Sequence, residues 1–325
     1  MEKTTAMKQY VLVLLTIVLN LNCVAQRTGK NASFYKEGFI DVGQGVSLFY
    51  QQVGKGKQKI IAPLGFWIYD DFRHLADSGD RTFIFFDMRN RGRSSSVADS
   101  NLLDIRAEIE DIEKIRRHFR FEKVSLIGCS YLGFLVMLYT QKYPQYVDKV
   151  IQIGPVPARW DEPYPDSLRY TVALPSDKYV QVLLDSLKQS GYASKHPQEF
   201  TRLVYETRNK PGLLGDPTKI TSLGHQWVKH IDYPNEWIEN FSRHLKYHFR
   251  SIQQLNARFD DFKDVRQPVL VIHGTRDRNA AFGGGKQWAA TLPNAQLLRV
   301  EGAAHVPWIE QPALVFTAIN RFLSK

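Results

Sequence analysis

Cysteine is scarce in this chain. The two that occur, Cys23 and Cys129, offer no useful pairing, because Cys23 falls in an N-terminal targeting segment and Cys129 is left alone. That excludes the small disulfide-stapled class of secreted domain. Long apolar runs are lacking too: Val11 to Leu19, interrupted by Thr16, is too short to cross a bilayer. No internal repeat or low-complexity tract occurs. Gly283-Gly284-Gly285 lacks the lysine and Ser/Thr ending of a phosphate-binding loop. What remains is a globular composition, 43% hydrophobic and 23% charged, in a chain long enough to bury its own core. The formal charge is +10. Its Lys and Arg residues are scattered, and the densest group, Lys114 to Arg120, is expected on one solvated helix, so no nucleic-acid partner is expected.

Residues 1–25 read as a signal peptide. Lys3 and Lys8 precede the apolar run, and Cys23-Val24-Ala25 supplies small residues for cleavage, so the mature chain begins near Gln26 and is exported, periplasmic or secreted. A competing reading makes Cys23 a lipid-attachment site, for which Asn22 is a poor preceding residue.

Beyond it, Phe39 to Val42 and Val46 to Gln52 read as antiparallel strands. Lys59 to Trp67 reads as a buried strand running into a glycine turn, and Arg81 to Asp87 as another strand. A helix is expected over 102–119. Strand and helix then alternate, which implies a mostly parallel central sheet flanked by helices on both faces, an α/β fold. The rhythm fails over 158–264, a stretch with three of the six tryptophans and five of the nine histidines, expected to be an inserted helical cap. Core segments 26–157 and 265–325 bracket it.

The stretch carrying chemistry is Val124-Ser125-Leu126-Ile127-Gly128-Cys129-Ser130-Tyr131-Leu132-Gly133, a buried strand turning through a serine into a buried helix. Gly128 and Ser130 fall where a nucleophile elbow needs them. The usual second glycine is replaced by Leu132, with Gly133 one place later. A shifted register with Cys129 as nucleophile puts Ile127 and Tyr131 at the close-approach positions and is sterically worse. Asp277 follows the strand of Pro268 to Gly274, and His305 lies in the loop after the strand of Gln296 to Val300. The order serine, acid, histidine is that of α/β-hydrolases and not of the other serine-triad folds.

The chain resembles the α/β-hydrolase superfamily from Gly38 to Phe322, in its capped branch of proline iminopeptidases, small-ester hydrolases and carbon–carbon bond hydrolases. The resemblance is carried by the Ser130 elbow, the turn Asp87-Met88-Arg89-Asn90-Arg91-Gly92-Arg93-Ser94, the acid strand ending at Asp277, and Gly302-Ala303-Ala304-His305. It departs from the family at Leu132 and at Pro63-Leu64-Gly65-Phe66, where His-Gly is common. The His-Gly-Gly-Pro-Gly run of proline iminopeptidases is also absent.

The expected mechanism uses Ser130 as nucleophile, His305 as base and Asp277 to orient the imidazole, with the backbone N–H groups of Phe66 and Tyr131 as oxyanion hole. No cofactor or metal is expected. His244 and His248, four residues apart, are expected on a solvated helix face, and Asp87 and Arg89 in a turn brace. The expected substrate is a small ester or amide, with Trp67, Trp160, Trp227 and Trp237 as candidate pocket walls. An aminopeptidase of the proline iminopeptidase type, using Glu199, Glu206 or Glu236 to receive an ammonium, is the alternative. A non-catalytic ligand-binding protein, motivated by Leu132, is a third.

Overall fold

The computed structural model describes residues 34–63, 65–77, 80–158, 177–204, 207, 212–216, 218–219 and 235–325. The expected signal peptide, Leu64, Trp160, Glu206, Trp227 and the side chains of Phe66, Glu236 and Trp237 lie outside it.

Eight strands form one sheet: β1 (Tyr35–Asp41), β2 (Ser47–Val53), β3 (Gln58–Pro63), β4 (Arg81–Phe86), β5 (Val124–Cys129), β6 (Val147–Ile153), β7 (Val269–Gly274) and β8 (Ala295–Val300). Their spatial order is β1-β2-β4-β3-β5-β6-β7-β8. The β1–β2 and β2–β4 pairings are antiparallel and all others parallel. Helices α1 (Gly65–Phe72), α2 (Ile105–His118), α3 (Tyr131–Lys142), α4 (Asp177–Gln189), α5 (Pro197–Val204), α6 (Asn235–Leu255), α7 (Phe282–Thr291) and α8 (Pro312–Leu323) connect and cover them. Between β6 and β7 the described residues include α4, α5, α6 and a single turn at Tyr192–Lys195, and no strand.

The period-2 alternation of the strands divides the core in two. Ile61, Ile84, Phe86, Leu126, Val150, Val269 and Val271 pack with the isoleucines of α2, the apolar run of α3 and Trp288 of α7. Ile60, Ala62, Phe83, Phe85, Ile127, Ile151 and Ile272 pack with Ile68 and Phe72 of α1 and Val315, Ile319 and Phe322 of α8. Central strands buried on both faces read as unbroken apolar runs, each fully buried Val, Leu, Ile or Phe contributing about 1.5–3 kcal/mol. All the helical nonpolar residues of α3 from Leu132 to Tyr139 are buried, as the all-round apolar run requires.

Two local expectations change. Lys59 to Trp67 does not end in a turn: β3 stops at Pro63 and α1 begins at Gly65. The cationic group at 114–120 is not wholly solvated, because Arg116 is buried, forks onto Glu113 at 2.8 Å and stacks on Tyr146.

Candidate active site

Ser130 occupies the sharp turn between β5 and α3, with φ 58° and ψ −127°. A non-glycine residue at positive φ stores about 1–3 kcal/mol and persists only where its surroundings enforce it. Here the enforcement is backbone hydrogen bonding: the Ser130 N–H donates to Ile153 O at 2.9 Å, and Ser130 O accepts from Gly133 N–H at 3.0 Å and Val156 N–H at 3.3 Å. Cys129 ends the strand, so the turn belongs to Ser130 and not to the shifted register. Burial pushes the Cys129 thiol well up, with the Asp277 charge adding to it, which leaves no thiolate at neutral pH.

The missing glycine at 132 is explained by where the close approaches fall. A Cβ on Gly128 would overlap the Leu132 carbonyl, and a Cβ on Gly133 would lie 3.0 Å from Pro155 Cβ. Leu132 instead directs its side chain into the core, 1% exposed. Gly128 and Gly133 thus meet the steric demand that the sequence pattern assigns to 128 and 132.

Asp277, 1% exposed, lies beyond the end of β7. Its Oδ1 accepts from the N–H groups of Asn279 and Ala280, both at 2.9 Å. Its Oδ2 faces His305 Nδ1 at 2.8 Å and His273 Nε2 at 3.2 Å. Burial works to raise this carboxyl, but the histidine charge and hydrogen bonds outweigh it and hold it well below the usual carboxylate range. His273 Nε2 also donates to Ala280 O at 2.9 Å, so that nitrogen carries the proton. The His305 loop is fixed through its backbone. His305 N–H donates to Leu213 O at 3.0 Å, and Glu310 accepts from the N–H groups of Ala304, Gly215 and Asp216.

Gly154 links the parts. It follows Ile153, whose carbonyl holds Ser130, and a Cβ there would meet Asp277 Oδ2 at 3.1 Å and His305 Nδ1 at 3.3 Å. Asp277 and His305 are thus joined directly. Ser130 is brought to the same edge, without a hydrogen bond between its hydroxyl and His305 in this structure. Catalytic hydrogen bonds of unliganded sites commonly tighten only with substrate.

Phe66 is the second residue of α1 and Tyr131 the first of α3, so both N–H groups belong to first helical turns, where the backbone has no intrahelical acceptor. The two helices start at the ends of β3 and β5, which are paired neighbours. Asp87 and Arg89 do brace their turn: Asp87 Oδ2 accepts from Arg93 N–H at 2.8 Å, and Arg89 forks onto Asp111 at 2.6 and 2.7 Å. Glu199 is exposed and pairs with Tyr192 and His196.

The expectation for His244 and His248 is overturned. Both are fully buried, beside a third fully buried group, Glu108 of α2. The solvated-face reading missed that Glu108 lies three residues after Ile105 and four before Ile112, within the apolar stripe of its helix. That position is the signal that could have found it, and His273 carried none.

A nucleophile-like serine, a buried Asp–His pair and two helix-start amides at the carboxyl edge of a largely parallel sheet place the protein in a class of α/β enzymes that work at that edge. The family model for the alpha/beta hydrolase fold matches residues 64–312, and the chain belongs to that family. It is similar to a proline iminopeptidase of Clostridium botulinum, 23% identical over 77% of this chain and 83% of the relative. It is also similar to a putative esterase/lipase of Haemophilus influenzae, 24% identical over 86% and 89%. Among solved structures, a serine hydrolase from the polyaromatic hydrocarbon-degrading bacterium Cycloclasticus zankles superposes with a TM-score of 0.67 over 90% of this chain and 98% of that one, at 16% identity. The protein is accordingly an enzyme, a hydrolase of the serine type within the α/β-hydrolase superfamily. Among the described residues, no helix is long and apolar enough to cross a membrane.

Proposed function

We propose that the protein cleaves an ester or amide bond of a small substrate through a Ser130–His305–Asp277 triad. The observation that carries this reading is the 2.8 Å contact of buried Asp277 with His305 Nδ1, set beside a serine held at positive φ. Asp277 fixes the Nδ1–H tautomer, leaving Nε2 as the base. Nε2 takes the Ser130 proton as Oγ attacks the scissile carbonyl, and the N–H groups of Phe66 and Tyr131 receive the oxyanion, each worth about 3 kcal/mol. Collapse of the tetrahedral intermediate expels the alcohol or amine, protonated by His305. Water activated by the same histidine then hydrolyses the acyl-enzyme.

The test is fluorophosphonate labelling of the purified protein. Labelling that vanishes in Ser130→Ala and falls strongly in His305→Ala supports the triad, and a wild type that does not label refutes it. The relatives called proline iminopeptidases favour a second reading of the substrate, an N-terminal aminoacyl amide; turnover of proline amides over short acyl esters would select it. Export rests on the N-terminal segment, and N-terminal sequencing of the protein recovered outside the cytoplasm tests it against cleavage near Gln26.

A further inference from the structure

Helix α6 lies in the insertion between β6 and β7, and α2 belongs to the core; they meet at the Glu108, His244 and His248 side chains. Glu108 Oε1 is 2.6 Å from His244 Nε2, and Glu108 Oε2 is 3.3 Å from His248 Nδ1, with all three side chains at 0% exposure. Both Glu108 oxygens, His244 Nε2 and both nitrogens of His248 are buried with no hydrogen-bond partner, so the close contacts are not aligned as hydrogen bonds. Five such atoms converging in one place call for a ligand, since each buried polar group left unsatisfied costs about 1–3 kcal/mol. Among the described residues, one ligating atom from each of the three side chains falls within 4.8 Å of the other two.

The chemistry of the donor set fits a metal ion. Two histidines at i and i+4 stand on one face of a helix, with rings 5.5 Å apart, and a carboxylate comes from the facing helix. His244 Nδ1 donates to Arg89 O at 2.8 Å, which fixes the proton on Nδ1 and leaves Nε2 as a lone pair aimed at Glu108. The charges facing the cluster are Arg89, already neutralised by Asp111, and Arg91, beside Tyr131 and Glu108. The two-histidine, one-carboxylate set suits a borderline divalent ion, Zn(II) before the others.

We propose that Glu108, His244 and His248 bind a structural divalent transition-metal ion that joins α6 to α2. All three side chains are 0% exposed, so substrate has no access to the coordination position that three protein ligands leave, which suits a structural ion. His248 also packs edge-on against the Tyr131 ring, centroids 4.4 Å apart, so the ion steadies the residue that follows Ser130.

The experiment uses the full chain purified without a histidine tag or chelator. Metal analysis is expected to find about one zinc per chain, absent from Glu108→Gln and from His244→Ala with His248→Ala. After stripping with a chelator, Zn(II) at saturating excess is expected to raise the wild-type Tm by about 5 °C or more, and Co(II) to give the visible absorption of a low-coordinate site. Neither response is expected in the variants. Wild-type protein that carries no metal and whose Tm is unmoved by Zn(II), Co(II) or Ni(II) overturns the proposal without any variant having to fold. Equal zinc uptake by wild type and Glu108→Gln with His248→Ala also overturns it.

Discussion

Replacing Asp277 by asparagine tests the proposed triad at its most constrained atom pair. The Asp277 carboxylate is an acceptor on both sides: Oδ1 takes the N–H groups of Asn279 and Ala280, and Oδ2 takes those of His305 and His273. An asparagine has one acceptor oxygen and one donor nitrogen. Whichever way it is turned, its NH2 confronts two N–H donors in a site 1% exposed. The cheaper arrangement keeps the oxygen on the backbone pair and turns the NH2 toward the histidines, which forces His305 to present a bare Nδ1 and place its proton on Nε2, the wrong tautomer for a base. Two opposed buried donors cost about 3–5 kcal/mol, or roughly 10²- to 10⁴-fold in rate. The second-order rate constant for fluorophosphonate labelling of Asp277→Asn should fall by that factor. Stability gives a second readout. The native carboxyl is held below its ordinary value of 3.8, so its contribution is complete above about pH 4 and is lost as pH falls through the lower native value. Wild-type Tm should therefore fall more steeply than that of Asp277→Asn as the solution is acidified below pH 4. A variant that labels within about threefold of wild type refutes the reasoning, since it leaves the tautomer argument with less than about 1 kcal/mol.

Gly128→Ala places a methyl on the Leu132 carbonyl, and backbone cannot yield as a flexible side chain does. A loss of about 3 kcal/mol or more and a Tm lower by about 6 °C are expected, and an unchanged Tm in thermal unfolding counts against the close approach. Leu132→Gly, which restores the common elbow pattern, removes a core side chain 1% exposed and puts glycine in a helix. It should cost about 3–6 kcal/mol by denaturant titration, and a variant as stable as wild type would mean that Leu132 is a strained substitute for glycine.

The legible parts of this fold are those that bury themselves completely. The strand expected over Pro268 to Gly274 is observed as Val269–Gly274, buried along its whole length, because the unbroken apolar run Val269 to Ile272 is of strand type and Gly274 ends it. Asp277 and His305 were legible through chain order, since a parallel sheet sends every strand end to one edge. Glu108 was legible only in part, because its place between Ile105 and Ile112 in the apolar stripe marks it as buried but does not name its partners. Those partners, His244 and His248, are more than 130 residues away in the chain. His273 is illegible for a different reason: within Val269–Gly274 it continues a strand pattern, and its contact with Asp277 depends on a turn the pattern does not specify. Leu132 misleads because the motif names positions, whereas sterics constrain contacts, and here Gly133 makes one of them.

The proposed oxyanion donors illustrate the same distinction. Phe66 and Tyr131 stand in the first turns of α1 and α3, where an N–H has no intrahelical acceptor, and the spacing of those turns follows from the pairing of β3 with β5. Neither donor depends on its own side chain, nor on a histidine at position 64. The discriminating change is therefore one that removes the N–H and keeps the helix. Proline does this in a first helical turn, where its φ is already that of the helix and the N–H it lacks has no intrahelical partner. The residue before it is Gly65, which tolerates the restriction proline imposes. Phe66→Pro should label with fluorophosphonate about 10²- to 10³-fold more slowly than Phe66→Ala, the loss expected for one oxyanion donor, while the two variants unfold at similar temperatures. Equal labelling by the two would show that the Phe66 amide does not face the developing charge, and would move the second donor to another first-turn amide of α1.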